Sequence, residues 1–139
     1  ENAKEAAIRQ AVWSPLDATA VALEAQLAPK EGAGPDALVL RVKIGTDNLA
    51  LEQRDGRWVG QFDLALVQTD EKGGEHEVRL QTVPMELGQD VYETLKKQGF
   101  VLSKAVQRNK SATALRVVVR DGASGNLGRV VIPFAKVPR

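Results

Sequence analysis

The sequence contains no cysteine, which excludes disulfides and thiolate-held metals and leaves the compartment open. Histidine is nearly as scarce, with His76 alone, and aromatic residues make up only 4% of the chain, too few for a base-stacking platform. Long apolar runs are missing as well. Stretches such as Ala37 to Leu40 and Val130 to Ile132 fall far short of the roughly 18 residues that cross a bilayer, so no membrane insertion is expected. The chain starts at Glu1 and lacks a basic segment followed by an apolar one. A signal peptide is therefore expected to be absent or already removed, and the chain to be a piece of a longer one. Acidic residues are scarce in one place only: after Phe100 there is a single one, Asp121, against eight Lys+Arg, whereas the first 100 residues hold 17 Asp+Glu against 11 Lys+Arg. The whole chain balances at +1, which argues against a general attraction to nucleic acid or anionic lipid.

What is present is short-range alternation. With 139 residues and 43% hydrophobic content, the chain suffices for one core and one domain. The expected division is an N-terminal linker or helix over 1–16 and a β-sandwich over 17–139. Ile8 and Val12, four apart, give a small apolar stripe over Ala3 to Trp13, ended by Ser14-Pro15. Val21, Leu23, Ala25 and Leu27 alternate with polar or small residues, so residues 18–28 read as the first strand. A Gly- and Pro-rich loop over 29–36 leads to a second strand, in which Leu38, Leu40, Val42 and Ile44 share a face. Leu49 and Leu51 open a third run. Asp55-Gly56 marks a tight hairpin into Trp58 to Val67, with Gly60 expected at a bulge.

After the loop from Thr69 to Glu75, Val78, Leu80 and Thr82 alternate with Glu77, Arg79 and Gln81, and Pro84 is expected to end that strand. The period then changes to four. Leu87, Val91, Tyr92 and Leu95 predict a short crossover helix over about 87–98, closed by Gly99, with its stripe packed into the core. Phe100, Leu102 and Val106 start the next strand, and Leu115 to Phe134 forms a closing hairpin whose last strand carries Pro133 and so belongs at a sheet edge. Seven or eight short strands with regular turn signals predict an all-β, immunoglobulin- or fibronectin-III-like antiparallel sandwich.

The closing hairpin, with Leu115 to Asp121, Ser124-Gly125, Gly128 and Val137-Pro138, resembles the C-terminal domain of bacterial von Willebrand factor A-related proteins of the acidobacterial type. Ser14-Pro15, Asp55-Gly56 and Tyr92 to Phe100 fit the same outline, so the resemblance spans nearly the whole chain. Thr113 and Ala114 stand where that family commonly has an aromatic residue at the start of the penultimate strand. The resemblance implies an immunoglobulin-like domain that follows an A domain in an exported precursor. It also implies a non-catalytic accessory role, other protein domains as partners, and a periplasmic, cell-surface or secreted location. The Asp-x-Ser-x-Ser metal motif of the A domain is absent from these residues, so no adhesion-metal chemistry carries over.

Each candidate site meets a plainer reading. A Ser/His/Asp set would need His76 with Ser103, Ser111 or Ser124, yet no Gly-x-Ser-x-Gly elbow presents any of them. No enzymatic activity is expected. Asp70, Glu71, Glu75, His76 and Glu77 offer oxygen and nitrogen ligands, but in no metal-site spacing. They read as a solvated turn, and no metal or other cofactor is expected. Asp121 to Asn126 looks like a glycine-rich anion loop, but a strand follows where a phosphate loop needs a helix. Trp13 and Trp58 would suit a carbohydrate-stacking platform, the alternative function; packing is the plainer role for both. The basic C-terminal third, with Lys104, Arg108 and Lys110 near Arg116 and Arg120, is expected to face solvent or to pair across strands with the acidic first part. Arg116 and Arg120, on one strand face, are the residues singled out for a protein partner.

Overall fold

The computed structural model describes residues 3–13 and 21–137. Its elements in chain order are α1 (Ala3–Trp13), β1 (Leu23–Pro29), β2 (Ala37–Ile44), β3 (Glu52–Arg54), β4 (Arg57–Thr69), β5 (Glu75–Leu87), α2 (Gln89–Gln98), β6 (Phe100–Gln107), β7 (Ala114–Asp121) and β8 (Leu127–Pro133). All strand pairs are antiparallel, and the strands form two facing sheets. One sheet has the order β1-β2-β6. In the five-stranded sheet, β4 carries β5 on one edge and both β3 and β7 on the other, with β8 beyond β7. The result is an all-β sandwich with immunoglobulin-like connectivity, in which the strand after the central hairpin stays on the larger sheet.

The alternation seen in the sequence places the core. Leu40, Val42 and Ile44 from one sheet meet Phe62, Leu64, Leu66, Leu115, Val117 and Val119 from the other, all buried. Phe62 and Phe100 cross between the sheets edge to face, with centroids 5.6 Å apart, a preferred aromatic geometry. The Asp55-Gly56 hairpin forms as expected, with both residues at positive φ (50° and 78°), the condition for a type I′ turn.

The larger sheet has a second covered face. Ile8, Ala11 and Val12 of α1 pack on Ala65, Val67 and Val118, so β4 and β7 are buried on both sides, and the run Val117-Val118-Val119 is the expected signature of such a strand. Polar bonds fix the helix there. Lys4 lies 3.4 Å from Asp63, and the Trp13 indole donates to Glu75 at 2.6 Å. Guanidinium groups of Arg116 and Arg129 donate to the carbonyls of Val12 and Ala11. They thereby satisfy helix-end carbonyls and oppose the negative end of the dipole.

Several expectations are corrected. β1 begins at Leu23, not at 18; residues 18–20, like Ser14-Pro15, lie outside the described residues. Gly60 is not at a bulge. It pairs in register with Met85, and a Cβ there would press on the end of the Leu51 side chain. The bulge is at the far end, where Gln68 faces Glu77 and Thr69 faces Glu75, leaving His76 over. Pro84 does not end β5, which runs on to Leu87 with Pro84 opposite Gln61. An edge strand tolerates proline because its outward amide has no partner to lose. α2 therefore starts at Gln89, and none of its residues is buried, so its stripe does not enter the core. Val91 is 52% exposed, and Tyr92 instead stacks on Trp58, with centroids 4.0 Å apart. The final strand does lie at a sheet edge, as Pro133 implied. No described helix is long and apolar enough to cross a membrane.

Candidate functional site

The two long sides of the sandwich differ, and the open one is the candidate site. On the β5/β6 side, among the described residues, β5 pairs with β4 alone and β6 with β2 alone. The inward row of β5 is Glu77, Arg79 and Gln81, opposite Gln68, Leu66 and Leu64. Polar side chains at these positions cannot close the core, and a cleft of about 340 Å³ remains between the sheets, lined by Glu77, Arg79, Gln107 and Arg108 among others. Two links span it. Arg79 donates to the Ala105 carbonyl at 2.8 Å. Gln68, buried, donates to the Gln107 carbonyl and accepts from the Asn109 amide, both at 2.8 Å. Both polar ends of its amide are thereby satisfied.

The outward row of β5 is the reverse. Val78 and Leu80 stand opposite Val67 and Ala65 and are 57% and 44% exposed. They form one wall of an apolar groove of about 120 Å³, with Ile8 and Val12 of α1 on the other. Next along the row, Thr82 donates to the buried Asp63 at 2.7 Å, so the groove ends in a polar anchor.

The residues singled out from sequence fall elsewhere. Arg116 and Arg120 share a face of β7 with Val118, as read, and that face is the one under α1. The Arg116 guanidinium lies over the Trp13 ring, 4.8 Å from its centroid, and donates to Thr69 Oγ1. Burial beneath the helix, with Arg129 alongside, lowers its pKa. Arg120 pairs with the buried Asp63 at 3.5 Å, the cross-strand pairing of basic third with acidic first part that the charge asymmetry suggested. Arg108 instead lies over the Phe134 ring.

The acidic loop is stapled on itself. Asp70 accepts from the amides of Lys72 and Gly74, each at 2.8 Å, and lies 2.6 Å from His76 Nε2. The Gly74 amide first, then His76 and the Lys72 amide, holds its carboxyl down at a pKa of about 2. Glu75 turns away to Arg9 and Trp13. Among the described residues, no three His, Asp or Glu side chains come together as a metal-holding group.

In the glycine-rich turn, Asp121 is buried and its Oδ2 accepts from the amides of Ala50 and Ser124 and from the Ser124 hydroxyl. A carboxylate thus sits where an anion would have to bind. His76 and Ser124 are engaged with different aspartates and are not brought together. Trp13 and Trp58 are separated too. Trp13 is held at Glu75, which pairs with the last residue of β4, while Trp58 is the second residue of β4. The strand between them spans about 35 Å.

Sequence reasoning missed Val78 and Leu80. Their alternation with Glu77, Arg79 and Gln81 is plain in the sequence, but which of the two rows faces the core follows only from the pairing with β4. No protein-family model, no curated protein and no solved structure matches the chain.

Proposed function

We propose that this sandwich is a non-catalytic interaction module, serving as an accessory domain of a larger exported bacterial protein related to von Willebrand factor A. The observation that supports it is the open β5 side: an unpaired strand edge flanked by exposed Val78 and Leu80. An unpaired strand edge is a template on which another chain can pair, and apolar side chains beside it add surface that such a chain would cover. The resemblance of the closing hairpin supplies the larger protein, and with it the exported location and an adjacent A domain as one partner. The coding sequence on either side of Glu1–Arg139 tests this. An A domain with an Asp-x-Ser-x-Ser motif there supports the accessory role, and a neighbour of another kind overturns it.

A second reading, a carbohydrate-binding module, draws on Trp58. Its ring is half-buried, stacked on Tyr92, and its indole donates to Gln89 at 2.8 Å. Glycan-array binding that is lost in Trp58→Ala favours this reading, and no binding by the parent chain sinks it.

A further inference from the structure

We propose that the free edge of β5 joins two copies of this chain, antiparallel about a two-fold axis at Leu80, so that their five-stranded sheets continue as one. This rests on the interaction-module reading and names the partner of that surface. Three observations carry it.

The first is where the edge is free and how it is bounded. Among the described residues, β5 pairs with β4 alone. The register shift at His76 interrupts it at one end, and Pro84, which has no N–H, at the other. Bulges and prolines are devices that blunt an edge. Here they frame the stretch 77–83, which contains no proline, no glycine and no lysine and whose two charged residues, Glu77 and Arg79, lie in the row facing the cleft.

The second is that this stretch fits itself. An antiparallel pair centred on Leu80 sets Leu80 against Leu80, Val78 against Thr82, Arg79 against Gln81, and Glu77 against Val83. It places no two like charges directly opposite each other, an arrangement that would be destabilising. Neighbouring registers are worse. A centre at Arg79 sets two guanidinium groups face to face, a centre at Gln81 draws Pro84 into the ladder, and a shift by one residue turns the second copy's faces over. A two-fold interface of this isologous kind closes on itself and does not propagate.

The third is the exposed row. Val78 and Leu80 sit at the open margin of the small apolar cluster beneath α1. In the joined pair the second copy's Leu80 and Thr82 would lie against them and extend that cluster across the axis. Strand addition gains affinity from main-chain hydrogen bonds and specificity from alternate side chains, and both are available here.

The cysteine-free sequence makes the test direct. Light scattering of the purified chain should give about twice the 15.0 kDa of one copy, and Leu80→Lys, which puts two ammonium groups on the axis, should halve it with unchanged circular dichroism. Leu80→Cys should oxidise to a disulfide-linked dimer at least tenfold faster than Val91→Cys, a control of similar exposure on α2. Opposed strand residues have Cα atoms about 4.5–5.5 Å apart, within disulfide reach. A parent chain that stays monomeric, or equal oxidation of the two cysteine variants, overturns the proposal. So does a dimer that persists in folded Leu80→Lys. Because the accessory role is read from the neighbouring coding sequence, either result leaves that reading to stand or fall by itself.

Discussion

On the β1/β8 side of the sandwich, Val21 donates to the Leu127 carbonyl at 3.1 Å and Gly45 donates to the Ala22 carbonyl at 2.8 Å. The two residues leading into β1 therefore stitch the small sheet to the large one. On the β5/β6 side the sheets are held by Arg79 and Gln68 across a polar cleft. Both sides begin as edge strands with alternating sequence. The difference shows that an edge is closed by backbone that comes close enough to bond, and left open by charged side chains in the row that would have to pack.

The largest effect should come from setting the interior against the open edge with one residue type. Leu64 is 2% exposed, Leu80 is 44% exposed, and they lie on adjacent strands. Leu64→Ala should cost about 2–5 kcal/mol in urea unfolding. Leu80→Ala, in dilute solution, should stay within about 0.5 kcal/mol. Equal losses would show that the β5 row is packed after all. Gly128→Ala should come next, at about 1–3 kcal/mol, because a Cβ there would overlap the Val21 carbonyl and pry the closed side apart. A neutral result would mean that β1 is not sealed against β8.

The smallest effect belongs to the turn that leads into the open strand. Asp70 has its pKa depressed to about 2, below the roughly 3.9 of an unfolded chain. Its contribution to stability is therefore present above about pH 4 and is lost as the pH falls toward 2. Asp70→Asn should lower Tm at pH 6, and its difference from the parent should shrink steadily as the pH falls from about 4 through 2. A gap that is constant with pH would sink the assignment to the ionised carboxylate.

Much of the architecture was legible because it is local. Period-two runs marked the interior rows of β2, β4 and β7, Asp55-Gly56 forced its turn, and Pro133 placed β8 at an edge. The four-residue spacing of Leu87, Val91 and Leu95 found α2 but misjudged its depth, since a stripe says which face is apolar and not what covers it. Arg116 and Arg120 were rightly placed on one face. That α1, more than a hundred residues earlier, lies across that face is a long-range event with no local signal.

The alternation and turn chemistry, which depend only on neighbours in the chain, determined by themselves that this protein is an antiparallel sandwich with its main core between the sheets. Only the tertiary structure decided which strands are edges, which face α1 covers and which side stays open. Those follow from pairing between residues far apart in sequence, where β4 takes β5 on one edge and β7 on the other and Val78 and Leu80 are left outside.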